Sequence, residues 1–499
     1  MPMGRCGFVG TGLNRNQTGN RLAVLNKLDF LTGQHGRYQG VKSVPGVFCR
    51  QASHRSVPYA LSETSLYANA GICATPLVRT CACFHRGVAG CKMAVPRRRV
   101  PGATRRSEAM SVTRRTFLTA AAAAGVAAGT AGAQEKTYKA VVIGDTKNGG
   151  YGHDLHMVFQ HRADVTIAAL ADPDEEGRAK HAAECGAVTT YADWREMLAK
   201  EQADIAIVAP RWTPPHKDYV LACAEAGLHG FMEKPLCVDL EEADAMVEAV
   251  ESRGLKWALA HNFRMTPLVA HVKQLVDDGL LGTIVEVRTR GKEDARAGGE
   301  DLVVLGCHLF DMMCYFIGDP LWCMSDITHN GKPATPADVR EATEPLGPIV
   351  GNRINAMYGF DNGIAGHFSS MYTKDGNGAR WALNLYGTKG CITINLNRVA
   401  PVIKYLDDSI WHAGARGSAW VDPPGMPEYV IDDPHTQTYI PNITDLMDAI
   451  ANDREPACSL RHGRRTIEMV QGVWASYVAG CRVALPLADR AHPLKNWSA

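Results

Sequence analysis

Acidic residues are almost missing from the first 133 positions of this 499-residue chain, where 18 Lys and Arg stand against 3 Asp and Glu. The remaining 366 residues carry 35 basic and 49 acidic groups, so a formal charge of +1 conceals parts of +15 and −14. A net-negative folded part excludes a general nucleic-acid binder. A long apolar run is missing too. The best one, Phe117 to Ala133, is 17 residues of mostly Ala and Gly, short of the ~20 strongly apolar residues of a membrane helix. Paired cysteine spacings are also absent. Six of the 15 Cys fall irregularly in the first 133 residues, and Cys81-Ala-Cys83 lacks the C-x2-C spacing of a zinc site, so no metal is expected. The other nine are scattered in mostly apolar surroundings, as at Cys223 and Cys314, which argues against a disulfide framework. No internal repeat is present.

What the basic segment does contain is Ser111-Val-Thr-Arg-Arg-Thr-Phe-Leu118, ahead of an alanine-rich run ending Ala131-Gly-Ala133. A basic region, a modest apolar region and small residues at a cleavage point make up a twin-arginine export signal. Residues 110–133 are expected to be that signal, read by the twin-arginine export machinery. The mature chain is then periplasmic or otherwise exported, without stable membrane insertion. Residues 1–109 show no sustained period and are expected to be a disordered, non-native upstream extension, with Met110 or Met93 the true start. A disordered basic tail is the alternative.

The rest is long enough for two domains. Strand-like runs at Lys139–Ile143, Val165–Ala171, Ala203–Ala209, Gly230–Met232 and Lys256–Ala260 alternate with helical patterns. Those helices are His153–Gln160, Glu175–Cys185, Asp193–Lys200, Tyr219–Ala226 and Asp239–Arg253. This alternation predicts βαβ units and a doubly wound parallel sheet over 134–258. After Asn262 the texture changes. A helix at His271–Asp278, an alternating strand at Thr283–Arg290, a Gly- and charge-rich loop at Gly291–Glu300 and a helix at Val304–Phe316 come first. Short runs at Asn355–Phe360, Ile364–Met371, Trp381–Tyr386 and Ile392–Leu396, parted by Gly and Asn turns, predict an open, mainly antiparallel sheet in an α/β domain over 259–499. Helices at Ile443–Ile450 and His462–Val478 close the chain.

Chemistry gathers where strands should end. The turn Gly144-Asp145-Thr146-Lys-Asn-Gly-Gly150-Tyr-Gly152 resembles a dinucleotide-binding turn but is longer than G-x-G-x-x-G. Asp172, closing the second strand, would accept from a ribose 2′-hydroxyl and repel a 2′-phosphate, favouring NAD over NADP. It could also be a helix N-cap, as could Asp174. Glu233-Lys234-Pro235 ends a very short strand, and proline biases Lys234 towards an extended conformation. By itself this motif is more often a surface ion pair in a loop.

Taken together, Gly144, Asp172, Pro210, His216 and Glu233-Lys234-Pro235 resemble the glucose–fructose oxidoreductase / inositol dehydrogenase (Gfo/Idh/MocA) family over essentially the whole chain after residue 133. The resemblance implies a Rossmann domain, then an α/β domain whose open sheet makes homo-oligomer contacts. It places Lys234 beside a nicotinamide. Asn262-Phe-Arg264-Met-Thr-Pro267 looks like the segment opening the second domain, Gly306-Cys-His308-Leu-Phe-Asp311 like the active-site helix, and Tyr386-Gly-Thr-Lys-Gly390 like a hairpin of the sheet. Lys234 and His308 are then the expected catalytic pair. Gly144, Asp145, Thr146, Gly150, Gly152, Asp172, Pro210, His216, Glu233 and Lys234 are expected around the cofactor, and Arg264, Asn262, Trp212 and Asp311 around the substrate. One departure stands out. The family's dehydrogenases usually carry Asp four residues before the histidine, where this chain has Val304, so Glu300 or Asp301 would have to reach in from the loop. The expected function is an exported NAD-dependent oxidoreductase of a sugar, sugar acid or cyclitol. The alternatives are a glycoside hydrolase that uses NAD transiently, and a non-catalytic nucleotide-sensing protein.

Overall fold

The computed structural model describes residues 136–374, 380–397, 400–434 and 437–498. The twin-arginine motif and all residues before Lys136 lie outside them.

Six strands form the first sheet: β1 (Tyr138–Ile143), β2 (Val165–Ala171), β3 (Thr189–Tyr191), β4 (Ile205–Val208), β5 (His229–Met232) and β6 (Trp257–Leu259). They lie in the order β3-β2-β1-β4-β5-β6, every pair parallel. β4 is Ile-Ala-Ile-Val with all four residues buried, because helices cover both faces. Against one face pack α2 (Trp194–Lys200), α3 (His216–Glu225) and α4 (Leu240–Glu251). Against the other packs α1 (Glu175–Cys185), with the segment around Leu155. This is the expected Rossmann arrangement, with its switch point between β1 and β4.

Two local expectations fail. β3 escapes the sequence pattern because it is a short edge strand with two exposed threonines. The helix expected at His153–Gln160 shrinks to one 3-10 turn, Leu155–Met157. Within that span Asp154 holds left-handed backbone (φ 62°), which a continuous right-handed helix cannot contain, and Gly149, Gly150 and Gly152 just before it also have positive φ.

The second domain is built on a nine-stranded sheet. Its long strands are β7 (Ile284–Arg290), β8 (Trp322–His329), β9 (Arg353–Gly359), β10 (Ala365–Met371), β11 (Ala382–Gly387), β12 (Cys391–Asn395) and β13 (Val402–Leu406). The order is β13-β12-β11-β7-β10-β9-β8, with two-residue strands Val483–Ala484 and Lys332–Pro333 on β8. Only β10 and β7 pair in parallel. In β9, Ile354, Ala356 and Tyr358 point inward and Arg353, Asn355 and Met357 outward, the alternation of a sheet covered on one face. α5 (Pro267–Asp277), α6 (Gly299–Val304) and α7 (Gly306–Ile317) lie over the inner face.

The division expected at residue 258 falls inside β6, whose last residue is Leu259, and the two cores do not part there either. α8 (Ile440–Ala451) sends Ile443, Leu446 and Met447 back against the parallel sheet. α9 (Leu460–Ala479) buries Leu460 and Ile467 in that sheet's other core, then Met469, Val473 and Trp474 in the core of the second domain. One helix therefore belongs to both domains.

The glycine turn can be tested directly. Gly150 and Gly152 share a left-handed φ, but a Cβ at Gly150 would meet nothing within 4 Å, whereas one at Gly152 would fall 2.4 Å from Glu233 Cγ and 2.8 Å from the Ala209 carbonyl. Gly150→Ala should cost about 1–2 kcal/mol for the backbone alone. Gly152→Ala should cost roughly 1–3 kcal/mol more for overpacking. Denaturant unfolding of the two variants measures the difference, and equal losses would refute the packing account.

Candidate functional site

The carboxyl ends of the parallel strands place the expected residues along one edge, as open α/β sheets do with their ligand sites. β1 runs into Gly144, β2 into Asp172, β4 towards Pro210 and β5 into Glu233 and Lys234. Glu233 is fully buried. Its carboxylate accepts from the Lys234 N–H at 2.6 Å, the His153 N–H at 3.1 Å and the His153 ring. Burial pushes the carboxyl up, but the His153 ring and the Lys234 ammonium outweigh it and hold it at about 2. Glu233 therefore anchors the glycine turn to β5 and fixes the backbone that presents Lys234. The Lys234–Pro235 bond is cis.

His308 comes from α7 in the second domain. Its ring packs against Phe263 at 5.1 Å, His261 at 5.4 Å and Trp381 at 5.6 Å between centroids. Burial lowers its pKa well below the histidine value, and the nearby charges of Lys234, His261 and His153 lower it further. The imidazole is thus held neutral, and its Nδ1 has no hydrogen-bond partner among the described residues. Lys234 and His308 thus lie within electrostatic range of each other.

The other expected residues divide. Arg264 donates to Asp311 Oδ1 at 2.8 Å, lies over the Tyr315 ring at 4.7 Å, and is only 7% exposed. His261, one turn of chain past β6, lies 3.6 Å from the same carboxylate oxygen. Burial would raise the Asp311 carboxyl, yet Arg264 and His261 hold it well below the usual range. Arg264 and Asp311 therefore pair inside the protein, while Arg264 Nε and Asp311 Oδ2 have no hydrogen-bond partner among the described residues. Glu300 and Asp301, expected to reach in from a loop, are placed differently. The chain breaks at Leu305, between α6 and α7, so both acids sit inside a short buried helix rather than in a loop. Glu300 accepts from the N–H and hydroxyl of Thr343. Asp301 accepts from Ser370 Oγ at 2.5 Å and from the N–H groups of Lys292 and Glu293. Both carboxylates tie down loops. His216 is fully buried with its ring nitrogens 2.7 Å from the Pro210 carbonyl and 3.0 Å from that of Leu236, so it clamps the ends of β4 and β5 rather than reaching a ligand. Trp212 packs its backbone on Gly149, while Asn262 is buried at the start of the turn Phe263–Met265.

On the other side of the switch point a cleft of about 280 Å³ is lined by Gly144, Asp145, Asp172, Trp194 and Tyr219 among others. Asp172 Oδ2 accepts from Thr146 N, Thr146 Oγ1 and Tyr151 OH, while among the described residues Oδ1 accepts only from Asp174 N. Oδ1 thus retains capacity for a ribose hydroxyl, and these residues fit the adenosine half of a dinucleotide. Asp174, not Asp172, caps α1. The phosphate-side element is unusual, since no α-helix follows the turn and Gly144 and Gly152 are pressed on Tyr151 and Glu233. His153, His261, Tyr151 and Trp381 went unnoticed in the sequence. His261 alone carried a signal, because it follows the last parallel strand as Lys234 follows the one before.

If Arg264 and Asp311 form a structural pair, Asp311→Asn should cost about 3–5 kcal/mol, the usual result of leaving one buried charge unmatched. Thermal or denaturant unfolding reads this. An unchanged stability with an altered KM would instead return the pair to the substrate.

The comparisons with known proteins meet this geometry. A family model described as "Oxidoreductase family, NAD-binding Rossmann fold" matches residues 138–261, and one described as "GFO/IDH/MocA C-terminal domain" matches 269–393. Levoglucosan dehydrogenase of Pseudarthrobacter phenanthrenivorans is 27% identical over 46% of this chain and 65% of its own length. D-apiose dehydrogenase of Paraburkholderia graminis is 32% identical over 31% of this chain and 43% of its own. Myo-inositol 2-dehydrogenase of Thermotoga maritima is 22% identical over 61% and 86%. The alignments to the first two thus span under two thirds of each relative. A solved structure of levoglucosan dehydrogenase with NADH and levoglucosan shares the fold, with a TM-score of 0.59 over 70% of this chain and all of that one, at 22% identity. A parallel sheet ending in Glu233-Lys234-Pro235, a second sheet beneath a helix bearing His308, and two adjoining family matches lead to one assignment: the chain belongs to the Gfo/Idh/MocA oxidoreductase family.

Proposed function

We propose that this chain is an exported, NAD-dependent dehydrogenase of a sugar, sugar acid or cyclitol. The observation that carries the reading is a buried His308 held in its base form by burial and by the charge of Lys234, the lysine that follows β5 at the carboxyl edge of the parallel sheet. The relatives named for levoglucosan, D-apiose and myo-inositol supply the substrate class. Asp172 and the cleft beside Gly144 would hold the adenosine end of NAD, and the bound dinucleotide supplies the hydride acceptor. Oxidising a secondary alcohol then asks two things of the protein. His308, unprotonated, accepts the hydroxyl proton. Lys234 holds the hydroxyl oxygen and stabilises negative charge as it develops there. Burial, helped by the charges of Lys234, His261 and His153 against the opposing pull of Asp311, keeps the ring in its base form.

A second reading, hydrolysis through transient oxidation, draws support from Val304, an apolar residue where dehydrogenases of the family usually carry Asp. Export rests on the Ser111–Leu118 motif, and no described helix is long and apolar enough to cross a membrane. A homo-oligomer through the second sheet rests on its outer face, where cross-strand neighbours Met324 and Met357 are 52% and 38% exposed.

Incubating the protein with NAD and a panel of free sugars, cyclitols and chromogenic glycosides decides between the readings. Stoichiometric NADH supports the dehydrogenase, glycoside cleavage without net NADH supports the second reading, and silence on the whole panel favours a nucleotide-sensing protein. On a verified substrate, Lys234→Ala and His308→Ala should each lower kcat by about 10²-fold or more. The acid limb of the wild-type rate should lie below the ordinary histidine value of about 6.5, because protonating His308 is disfavoured. A limb at or above that value would remove His308 from the role of base.

Export has its own test. Arg114→Lys with Arg115→Lys should leave full-length precursor in the cytoplasm, and normal export of that variant would end the twin-arginine assignment.

A further inference from the structure

A second cluster of ligand-type side chains lies on the far side of Tyr151 from Asp172. The 3-10 turn Leu155–Met157 contributes His156, only 2% exposed, and α1 contributes His181 and Glu184, three residues apart and so on one face of the helix. His156 Nε2 is 3.0 Å from Glu184 Oε2, His181 Nδ1 is 2.7 Å from the same oxygen, and the two ring nitrogens are 3.3 Å apart. Glu184 Oε2 can accept from both rings, but the two ring nitrogens, 3.3 Å apart, would then face each other as two N–H donors. A divalent ion with bonds of about 2.0–2.2 Å spaces its donor atoms roughly 3.0–3.4 Å apart, which both contacts of His156 match, and the 2.7 Å contact would open by a few tenths of an ångström on binding.

We propose that His156 Nε2, His181 Nδ1 and Glu184 Oε2 form a binding site for a divalent transition metal of the zinc class. Two imidazoles and one carboxylate suit zinc, cobalt or nickel and are a poor set for calcium or magnesium, which take oxygen ligands. Glu184 is 38% exposed, so solvent can complete the coordination from its side, and Lys180 pairs only with its other oxygen. The site has a structural use. The chain after β1 forms no α-helix, and a metal shared by His156 and α1 would clip that segment to the domain. It also reaches the cofactor cleft. The Tyr151 ring lies 4.8 Å from the His156 ring and 3.9 Å from that of His181, and its hydroxyl donates to Asp172 at 2.8 Å. Metal binding would hold Tyr151, and through it Asp172, in place. Tyr151 is in this sense a positioning residue.

The test uses the purified full chain, freed of metal with a chelator and titrated with zinc by calorimetry and with cobalt by visible absorption. One zinc per chain, cobalt bands of a nitrogen and oxygen site without thiolate charge transfer, and a higher Tm with zinc are expected. His181→Gln and Glu184→Gln lie on a partly exposed helix face and should fold, as far-UV circular dichroism will show, yet lose zinc affinity at least tenfold and lose the Tm gain. A wild-type chain that binds no stoichiometric zinc overturns the proposal. So do variants with undiminished affinity, or thiolate bands that place the metal on cysteine.

Discussion

A carboxylate with no access to water must find its partners within the protein, and Glu233 finds them in a way that organises the whole site. Its bonds to the Lys234 and His153 backbone join the end of β5 to the turn after β1. Gly152 has to be glycine because Glu233 fills the space where a side chain would go. Lys234 is therefore aimed by a rigid backbone held at both ends, rather than by its own long and flexible side chain. The clamp of His216 on Pro210 and Leu236 extends the same constraint to β4.

The charge pattern around His308 follows from a second buried group. Asp311 lies one turn along α7, and alone it would favour a protonated histidine. Arg264 and His261 take up that carboxylate, and what reaches His308 is the repulsion of neighbouring cations together with the cost of charging a buried ring. Phe263 and Trp381 complete the apolar wall. A base in its neutral form thus results first from burial and then from neighbouring cations that outweigh Asp311.

The domains are coupled by chain connectivity as well as by the site. α8 covers the parallel sheet, and α9 is buried in both cores in turn, so Lys234 from one domain and His308 from the other are held to a common frame. Their approach depends on packing from the last quarter of the chain, far in sequence from either residue.

Local patterns in the sequence were enough for the two-domain α/β architecture, because buried parallel strands read as continuous apolar runs and half-covered strands as alternation. Asp172 was picked out by its place at a strand end, and Lys234 and His308 by the family resemblance. Tertiary structure decided whatever depended on partners distant along the chain. Glu300 and Asp301 looked free to serve His308 until Thr343 and Ser370 claimed them, 43 and 69 residues away. Arg264 was open to either a substrate or an ion pair, and Asp311 stands 2.8 Å from it. The helix at His153–Gln160 was lost because left-handed residues and the contact with Glu233 outweigh local propensity. A residue's type and spacing establish what chemistry it can do, whereas its free valence depends on which buried group folds against it, and only the tertiary structure contains that.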